Sequence, residues 1–320
     1  MTKILVTYDM FRDGFAELEQ RYDVTFPERR DFTYEEVCRM LPHYDVLCSM
    51  FDFPVDRHLI DHAPHLRMVA NYAVGYNNID VAHCLSRGIT VANTPDPVTG
   101  PTANLALGLL LAAARRIADC DRMLRTQRQH MKIGVLENLG APVGGTLLGI
   151  IGMGRIGKAL AARAQACGMR VAYHNRHRLA AEEEARLNVT YMTKEQLLAE
   201  ADYVSLNAPY TPQTHHIIGH DELHMMKHTA ILVNTARGPL VDEKALVEAL
   251  ADGTILAAGL DVFEGGDYPS PQLYDLPNVV MTPHIGTQTY QTRLEMARTV
   301  CNNVIGFIEG DRPVCRVLHP

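Results

Sequence analysis

Residues 147–157 read LLGIIGMGRIG, and this stretch constrains the fold more than any other. Its first five residues are apolar or glycine and predict a buried strand. Gly152, Gly154 and Gly157 follow, and KALAARAQACG then continues with helical spacing to a stop at Gly168. A strand, a G-x-G-x-x-G turn and a helix in that order form a dinucleotide-binding fingerprint, whereas the glycines alone would mark only a βα turn. Each glycine has its own task. Gly152 makes the tight turn, Gly154 lets backbone approach a pyrophosphate, and Gly157 lets the helix lie close to the strand. Arg155 and Ile156 open that helix, whose first N–H groups carry a partial positive charge suited to phosphate.

The same alternation runs along the whole chain. KILVTY, DVTF, DVLCSM, LRMVANY and ITVANT predict strands in the first hundred residues, with YEEVCRML and DVAHCLSRG as helices between them. After the hinge PDPVTGP, the stretch TANLALGLLLAAARRIADCDRML predicts one long helix, apolar almost all round and mostly buried. From Leu147 a second series follows, with strands LLGIIG, RVAYHN, YVSLNAP, AILVNTA, AAGLDVF and NVVMTPH. Strands alternating with helices predict an α/β fold with parallel sheets. QTRLEMARTVCNNVIGFIEGD closes the chain as an amphipathic helix suited to returning to the first domain.

Composition excludes several classes. A net charge of −7 with scattered basic residues argues against nucleic acid as a partner. The longest apolar run, LALGLLLAAA, is too short to span a bilayer, so no membrane partner is expected. Seven widely spaced cysteines without a CxxC predict reduced thiols, a cytoplasmic location and no metal site.

The second strand of the glycine unit decides between the two nicotinamide dinucleotides. An acidic residue about 20 positions past the glycines grips the ribose 2′-OH of NAD. Here Asn175 falls near that position, followed by Arg176, His177 and Arg178. A carboxylate that would repel a 2′-phosphate is missing, and a cationic cluster able to pair with one is present, so NADP is expected over NAD.

NYAVGYNNID, TPDPVTGPTANLALGLLLAAARR, LLGIIGMGRIGKALA, LVNTARGPLVDEKALVEAL, AAGLDVFE and LPNVVMTPHIG occur in one order and spacing. Together they resemble the D-isomer-specific 2-hydroxyacid dehydrogenase family over nearly the whole chain. The resemblance implies two Rossmann-like doubly wound parallel-sheet domains with the cofactor domain inserted into the substrate domain. It places residues 1–98 and 286–320 in the substrate domain and 99–285 in the NAD(P)-binding domain, with the active site between them and a homodimer formed through the cofactor domain.

The resemblance also assigns residues. Arg237 in NTARG matches the family's substrate arginine, and His284 in TPHIG its acid/base. The chemistry suits both. A planar guanidinium holds a carboxylate bidentately, and a histidine gives or takes a proton near neutral pH. Val74 and Gly75 match the backbone cradle for the substrate carboxylate, and Met50 and Phe51 a loop beside its side chain. Asp261 and Thr235, with Ala236, His284 and Gly286 around them, match the nicotinamide end. Thr102 matches a phosphate contact and Pro209 the adenosine lining.

One departure touches the chemistry. The family pairs its histidine with a Glu in a DVFExE stretch, but this chain reads DVFEGGDYPSP, with Gly266 at that position. Asp267 is the nearest replacement, and Glu264 lies two residues upstream. Asn104 and Asn207 also stand where relatives often carry Glu and His. The expected activity is reduction of a glyoxylate-like or hydroxypyruvate-like 2-oxo acid to its D-2-hydroxy acid. The alternatives are an NAD(P)-sensing binding protein with weak turnover, favoured by Gly266, and oxidation of the phosphite or formate type.

Overall fold

Short runs of branched apolar residues need cover on both faces, and in the computed structural model they receive it as central strands of two parallel sheets. Residues 1–50, 52–127, 134–266 and 268–318 are described. They divide into a discontinuous unit, Met1–Val98 with Thr287–Pro320, and an inserted unit, Thr99–Gly286.

The discontinuous unit holds β1 (Lys3–Val6), β2 (Asp23–Thr25), β3 (Val46–Met50), β4 (Met68–Tyr72) and β5 (Thr90–Ala92). They pair in the order β2-β1-β3-β4-β5, all parallel. Side chains alternate between two cores: Ile4 and Val6 enter one, Leu5 the other, as the two-residue period of a strand requires. The terminal helix Tyr290–Glu309 brings Met296, Ala297, Val300 and Val304 into the first of these cores. Gly14 lets it come close, because a Cβ there would lie 2.4 Å from that of Ala297.

The inserted unit holds β6 (Leu147–Ile151), β7 (Arg170–His174), β8 (Thr190–Tyr191), β9 (Tyr203–Leu206), β10 (Ile231–Asn234), β11 (Ala257–Leu260) and β12 (Val279–Met281). Their order, β12-β11-β10-β9-β6-β7-β8, reverses direction between β6 and β9. That is the switch point at which open α/β sheets bind ligands, beyond the carboxyl ends of the strands. The fold class expected from the sequence is the one observed.

The expected single long helix is instead two, Thr99–Ala114 and Ile117–Gln127. Arg116 between them has φ +53°, which ends the first helix, and its guanidinium donates to Asp119 in the first turn of the second. Ala141 N–H donates to Ala114 O at 2.8 Å, taking over a terminal carbonyl. Among the described residues no helix is long and apolar enough to cross a membrane.

Candidate active site

The glycine turn follows β6 at the switch point. Gly152 has φ +103°, and a Cβ there would lie 2.5 Å from Ala208 N, so both conformation and space require glycine. A Cβ at Gly157 would lie 2.3 Å from Gly152 O. Gly154 is the N-cap of the helix Arg155–Ala166, has no side-chain cap, and its missing Cβ faces open space. The first N–H groups of this helix are therefore left without a side-chain cap beside open space, an arrangement suited to binding anions. Arg155 is exposed and Ile156 half-buried.

Asn175, just past β7, spends its Oδ1 on Met153 N–H at 2.7 Å, which braces the glycine turn from the side. Arg178 donates twice to the buried Glu184, at 2.8 and 2.7 Å, and Tyr173 donates to the same carboxylate. These hydrogen bonds, Arg178's first, hold the Glu184 carboxyl down at about 2. Arg176 and His177 are exposed on the same loop. At the ends of β9 and β10, Asn207 Oδ1 and Thr235 Oγ1 are buried oxygens without a hydrogen-bond partner among the described residues. Buried polar atoms are normally satisfied, so these two have bonding capacity that a water or a bound molecule could complete, as do Asn71, Asn78, Thr94 and Asn278. Pro209, just beyond, is exposed, and its carbonyl accepts from Thr214.

Arg237 sits on the turn after β10. Asn234, 1% exposed, builds that turn by donating to Arg237 O at 2.9 Å and accepting from Ala236 N–H at 3.0 Å. The half-buried Arg237 side chain donates through Nη1 to Ala236 O at 2.6 Å. Burial lowers its guanidinium below the ordinary arginine value, but a group that titrates above about 12 in water keeps its charge. Gly238 is closely overlaid by the next strand's loop; a Cβ there would strike Phe263 O at 1.8 Å.

His284 lies on the loop after β12, exposed, with φ +53°. Its N–H donates to Asp261 O at 2.9 Å and Thr282 O at 3.0 Å. The Asp261 carboxylate, 1% exposed, accepts from Thr282 Oγ1 at 2.6 Å, Ile285 N–H at 2.7 Å and Gly286 N–H at 3.0 Å. Burial raises this carboxyl above the usual range, against those hydrogen bonds and the His284 charge, which lower it. Asp261 N–H also reaches Asn234 O at 2.9 Å. The turn bearing Arg237 and the loop bearing His284 are thus tied to one another through Asn234 and Asp261. Thr102, buried in the helix Thr99–Ala114, donates to Gly286 O at 3.5 Å and supports the same loop.

Gly266 closes a turn by donating to Phe263 O at 3.1 Å, with φ +86°. Glu264 is engaged at both carboxylate oxygens, by His216 Nε2 and by Glu243 N–H. Asp267 lies outside the described residues, as does Phe51.

In the discontinuous unit, the loop after β4 carries Val74 and Gly75, both half-buried. Thr94 N–H donates to Ala73 O at 2.9 Å, and Asn93 Nδ2 to Val74 O at 2.8 Å. Each bond fixes one peptide plane and so aims the N–H on its far side, that of Val74 and that of Gly75 respectively. Asn71, wholly buried, adds a bond to Gly75 O at 2.7 Å. Met50, 8% exposed at the end of β3, borders a cavity of about 170 Å³ that is also lined by Tyr8, Phe32, Tyr34 and Phe53.

Sequence reasoning missed the bracing residues Asn234, Asn71, Asn93 and Thr94. Their types, amide and hydroxyl at or just past a strand end, mark turn construction in general. Asn71 and Asn234 hold carbonyls only four and three residues on, whereas Asn93 and Thr94 reach back about 20 residues to a loop that no local pattern indicates. Asn104, noted as a departure, accepts from Arg163 Nε at 2.6 Å and so belongs to packing between two helices.

Comparison with known proteins agrees with this geometry. The family model for the NAD binding domain of D-isomer specific 2-hydroxyacid dehydrogenases matches residues 107–286. A glyoxylate reductase of Thermococcus gammatolerans is 44% identical over 315 residues, 97% of this chain and 94% of the relative. Among solved structures, a glyoxylate reductase from Paecilomyes thermophila superposes with a TM-score of 0.90 at 35% identity, covering 99% of this chain and 98% of that one. An NADPH-dependent glyoxylate/hydroxypyruvate reductase from Sinorhizobium meliloti, solved with NADP and malonate, gives 0.85 at 31% identity, covering 99% and 97%.

Proposed function

Because the chain belongs to the D-isomer-specific 2-hydroxyacid dehydrogenase family, we propose that it reduces glyoxylate to glycolate, or a similarly small 2-oxo acid to its D-2-hydroxy acid, with NADPH as the preferred cofactor. The observation that carries this reading is the Asn234–Asp261 tie, which holds an arginine turn and a histidine loop in one rigid frame.

The residues present suit a nicotinamide dinucleotide. Gly154 leaves open space at an uncapped helix N-terminus for the pyrophosphate, and Thr235 and Asn207 offer unsatisfied buried oxygens toward the rest of the molecule. Thr102, Pro209, Ala236, Asp261 and Gly286 complete the proposed contacts. When bound, the reduced cofactor supplies the hydride. Arg237 then holds the substrate carboxylate through its planar fork and polarises the neighbouring carbonyl. His284 donates a proton to the carbonyl oxygen as that oxygen gains charge, and removes it in the reverse direction. Reduction needs the protonated imidazole, so its rate falls as pH rises through the histidine's titration, while oxidation rises. Asp267 is the proposed carboxylate partner of His284; Asp267→Asn should move this pH profile, and an unmoved profile would remove it from that role.

We assign residues 1–98 and 286–320 to the substrate and 99–285 to the cofactor. In the former, the aimed N–H groups of Val74 and Gly75 receive a carboxylate, with Met50 beside the substrate's side chain.

The preference for NADPH rests on Arg176 and His177 and on the absence of a carboxylate at the end of β7. Arg178 stays committed to Glu184, which leaves Arg176 as the main partner of a 2′-phosphate. Loss of a charge-assisted hydrogen bond of this kind costs about 1.5–3 kcal/mol. Arg176→Ala should therefore raise KM for NADPH roughly 10- to 100-fold and leave KM for NADH within about twofold. Equal changes for both cofactors would show that this loop does not read the phosphate.

We further infer a homodimer through the inserted unit. Ile117, Leu124, Leu136 and Leu139 are exposed in that unit, and Leu139 lines an apolar groove together with Ala113, Leu256 and Val280. Exposed leucines and isoleucines next to an apolar groove suit an interface better than open solvent. Light scattering should give a dimer mass for the parent and a monomer mass for Leu124→Glu; a parent that is already monomeric contradicts the inference.

The activity is tested by following the near-ultraviolet absorbance of reduced cofactor with a panel of 2-oxo acids, using NADH and NADPH in turn. Turnover of glyoxylate or hydroxypyruvate with a lower KM for NADPH is expected. NADPH binding without turnover on any acid would instead favour a cofactor-sensing role, and reduction of NADP by phosphite or formate would favour oxidation of that type.

A further inference from the structure

The loop after β9 and the turn after β11 bring together His215, His216 and Glu264, none of which has a role in the chemistry proposed above. One ligating atom from each lies within 4.8 Å of the others. We propose that these three residues form a binding site for a divalent transition-metal ion such as zinc. Two imidazoles and a carboxylate suit borderline cations of this kind better than magnesium or calcium, which take oxygen ligands.

The site is braced as metal sites usually are, with partners behind the ligands. Glu264 is oriented by Glu243, whose N–H donates to its second oxygen at 3.1 Å and whose own carboxylate receives Glu264 N–H at 2.8 Å. Such outer bonds fix ligand orientation and raise affinity. His216 is anchored by its N–H to Pro239 O at 2.9 Å, has φ +50°, and its ring is hydrogen-bonded to Glu264. The exposed His215 ring stacks on that of His216, with centroids 3.9 Å apart. Ligands around a tetrahedral zinc at about 2.0–2.2 Å stand roughly 3.4 Å from one another. To hold an ion, the hydrogen-bonded His216 and Glu264 would part to that spacing with His215 at the same distance, and all three side chains are at least partly exposed. Three protein ligands leave a fourth position for water. The bland alternative is a plain His216–Glu264 ion pair with His215 as a bystander. Adjacent histidines with a glutamate far along the chain give no metal-ligand spacing, which is why the sequence offered no sign of the site.

The ion would fasten the loop after β9 to the turn that closes at Gly266 and overlies Gly238, the residue after Arg237. Protein stripped with a chelator and dialysed is titrated with zinc chloride by calorimetry, and separately with cobalt(II) while visible d–d bands are recorded. The expected result is a zinc-binding event that weakens roughly tenfold or more in both His215→Ala and His216→Gln, with loss of the tetrahedral cobalt bands. His220→Ala, which alters the exposed His220–His224 pair on the next helix, should leave it unchanged. His215 is exposed, so its removal tests ligation without unfolding the chain. A zinc isotherm that is absent in the parent, or identical in the parent, His215→Ala and His216→Gln, overturns the proposal. Neither readout depends on catalytic turnover.

Discussion

A protein carrying His284→Asn is expected to reduce glyoxylate roughly 10²- to 10⁴-fold more slowly than its parent, the range set by losing a positioned proton donor. Asparagine is the informative replacement. The residue at this position has φ +53°, a conformation that asparagine tolerates far better than alanine or glutamine. The backbone bonds from His284 N–H to Asp261 O and Thr282 O remain available, as do the three bonds that Asp261 accepts from the loop. The loop should keep its form, and NADPH affinity measured by fluorescence titration should stay within about twofold. Slow turnover should also lose its dependence on pH in the histidine range. If kcat is unchanged, the proton comes from another group or from water, and the assignment of His284 fails.

Arg237→Ala is expected to lower kcat/KM for a 2-oxo acid by roughly 30- to 5,000-fold, since truncating one partner of a desolvated charge pair costs about 2–5 kcal/mol. The change should divide between KM, through lost carboxylate binding, and kcat, through lost polarisation of the carbonyl. The turn itself should survive. It is built by Asn234, which bonds to the backbone of Ala236 and Arg237 and not to the guanidinium. Arg237→Lys should recover only part of the loss, because an ammonium gives a point charge without the planar fork. A substrate analogue lacking the carboxylate provides the control: parent and Arg237→Ala should then differ little. An effect confined to melting temperature, with kinetics intact in the folded protein, would make Arg237 structural.

The two sheets were readable because parallel strands buried on both faces are written as plain apolar runs. LLGIIG and AILVNTA are found as β6 and β10 within a residue or two of their sequence limits, and YVSLNAP as β9, which ends three residues earlier. The two-residue β8, Thr190–Tyr191, was not readable, since it pairs only at the edge of β7 and has no run to announce it. The break at Arg116 was hidden for a different reason. Apolar residues continue past it, and what ends the helix is a left-handed arginine together with capping from Ala141, far along the chain.

The site divides in the same way. Residues that perform the proposed chemistry, Arg237 and His284, stand in short motifs and were legible. The residues that aim them were not. Asp261 suggested a cofactor contact, yet in the structure three of its hydrogen bonds secure the His284 loop. Glu264 suggested a replacement for the missing carboxylate, but His216 and Glu243 occupy it. Hydrogen-bond partners of this kind depend on the three-dimensional approach of separate turns, and no local pattern encodes them. Gly266 was legible as a departure, and its φ of +86° shows that the turn itself favours glycine there.

The most direct test mixes protein saturated with NADPH against glyoxylate in a stopped-flow instrument and follows reduced-cofactor absorbance over one turnover. A single exponential loss of absorbance in the parent is predicted, slowed about 10²-fold or more in His284→Asn, with D-2-hydroxy acid or glycolate recovered as product according to the 2-oxo acid used. A parent that holds NADPH tightly yet shows no absorbance change with any 2-oxo acid, or a His284→Asn trace that overlays the parent, would contradict the account.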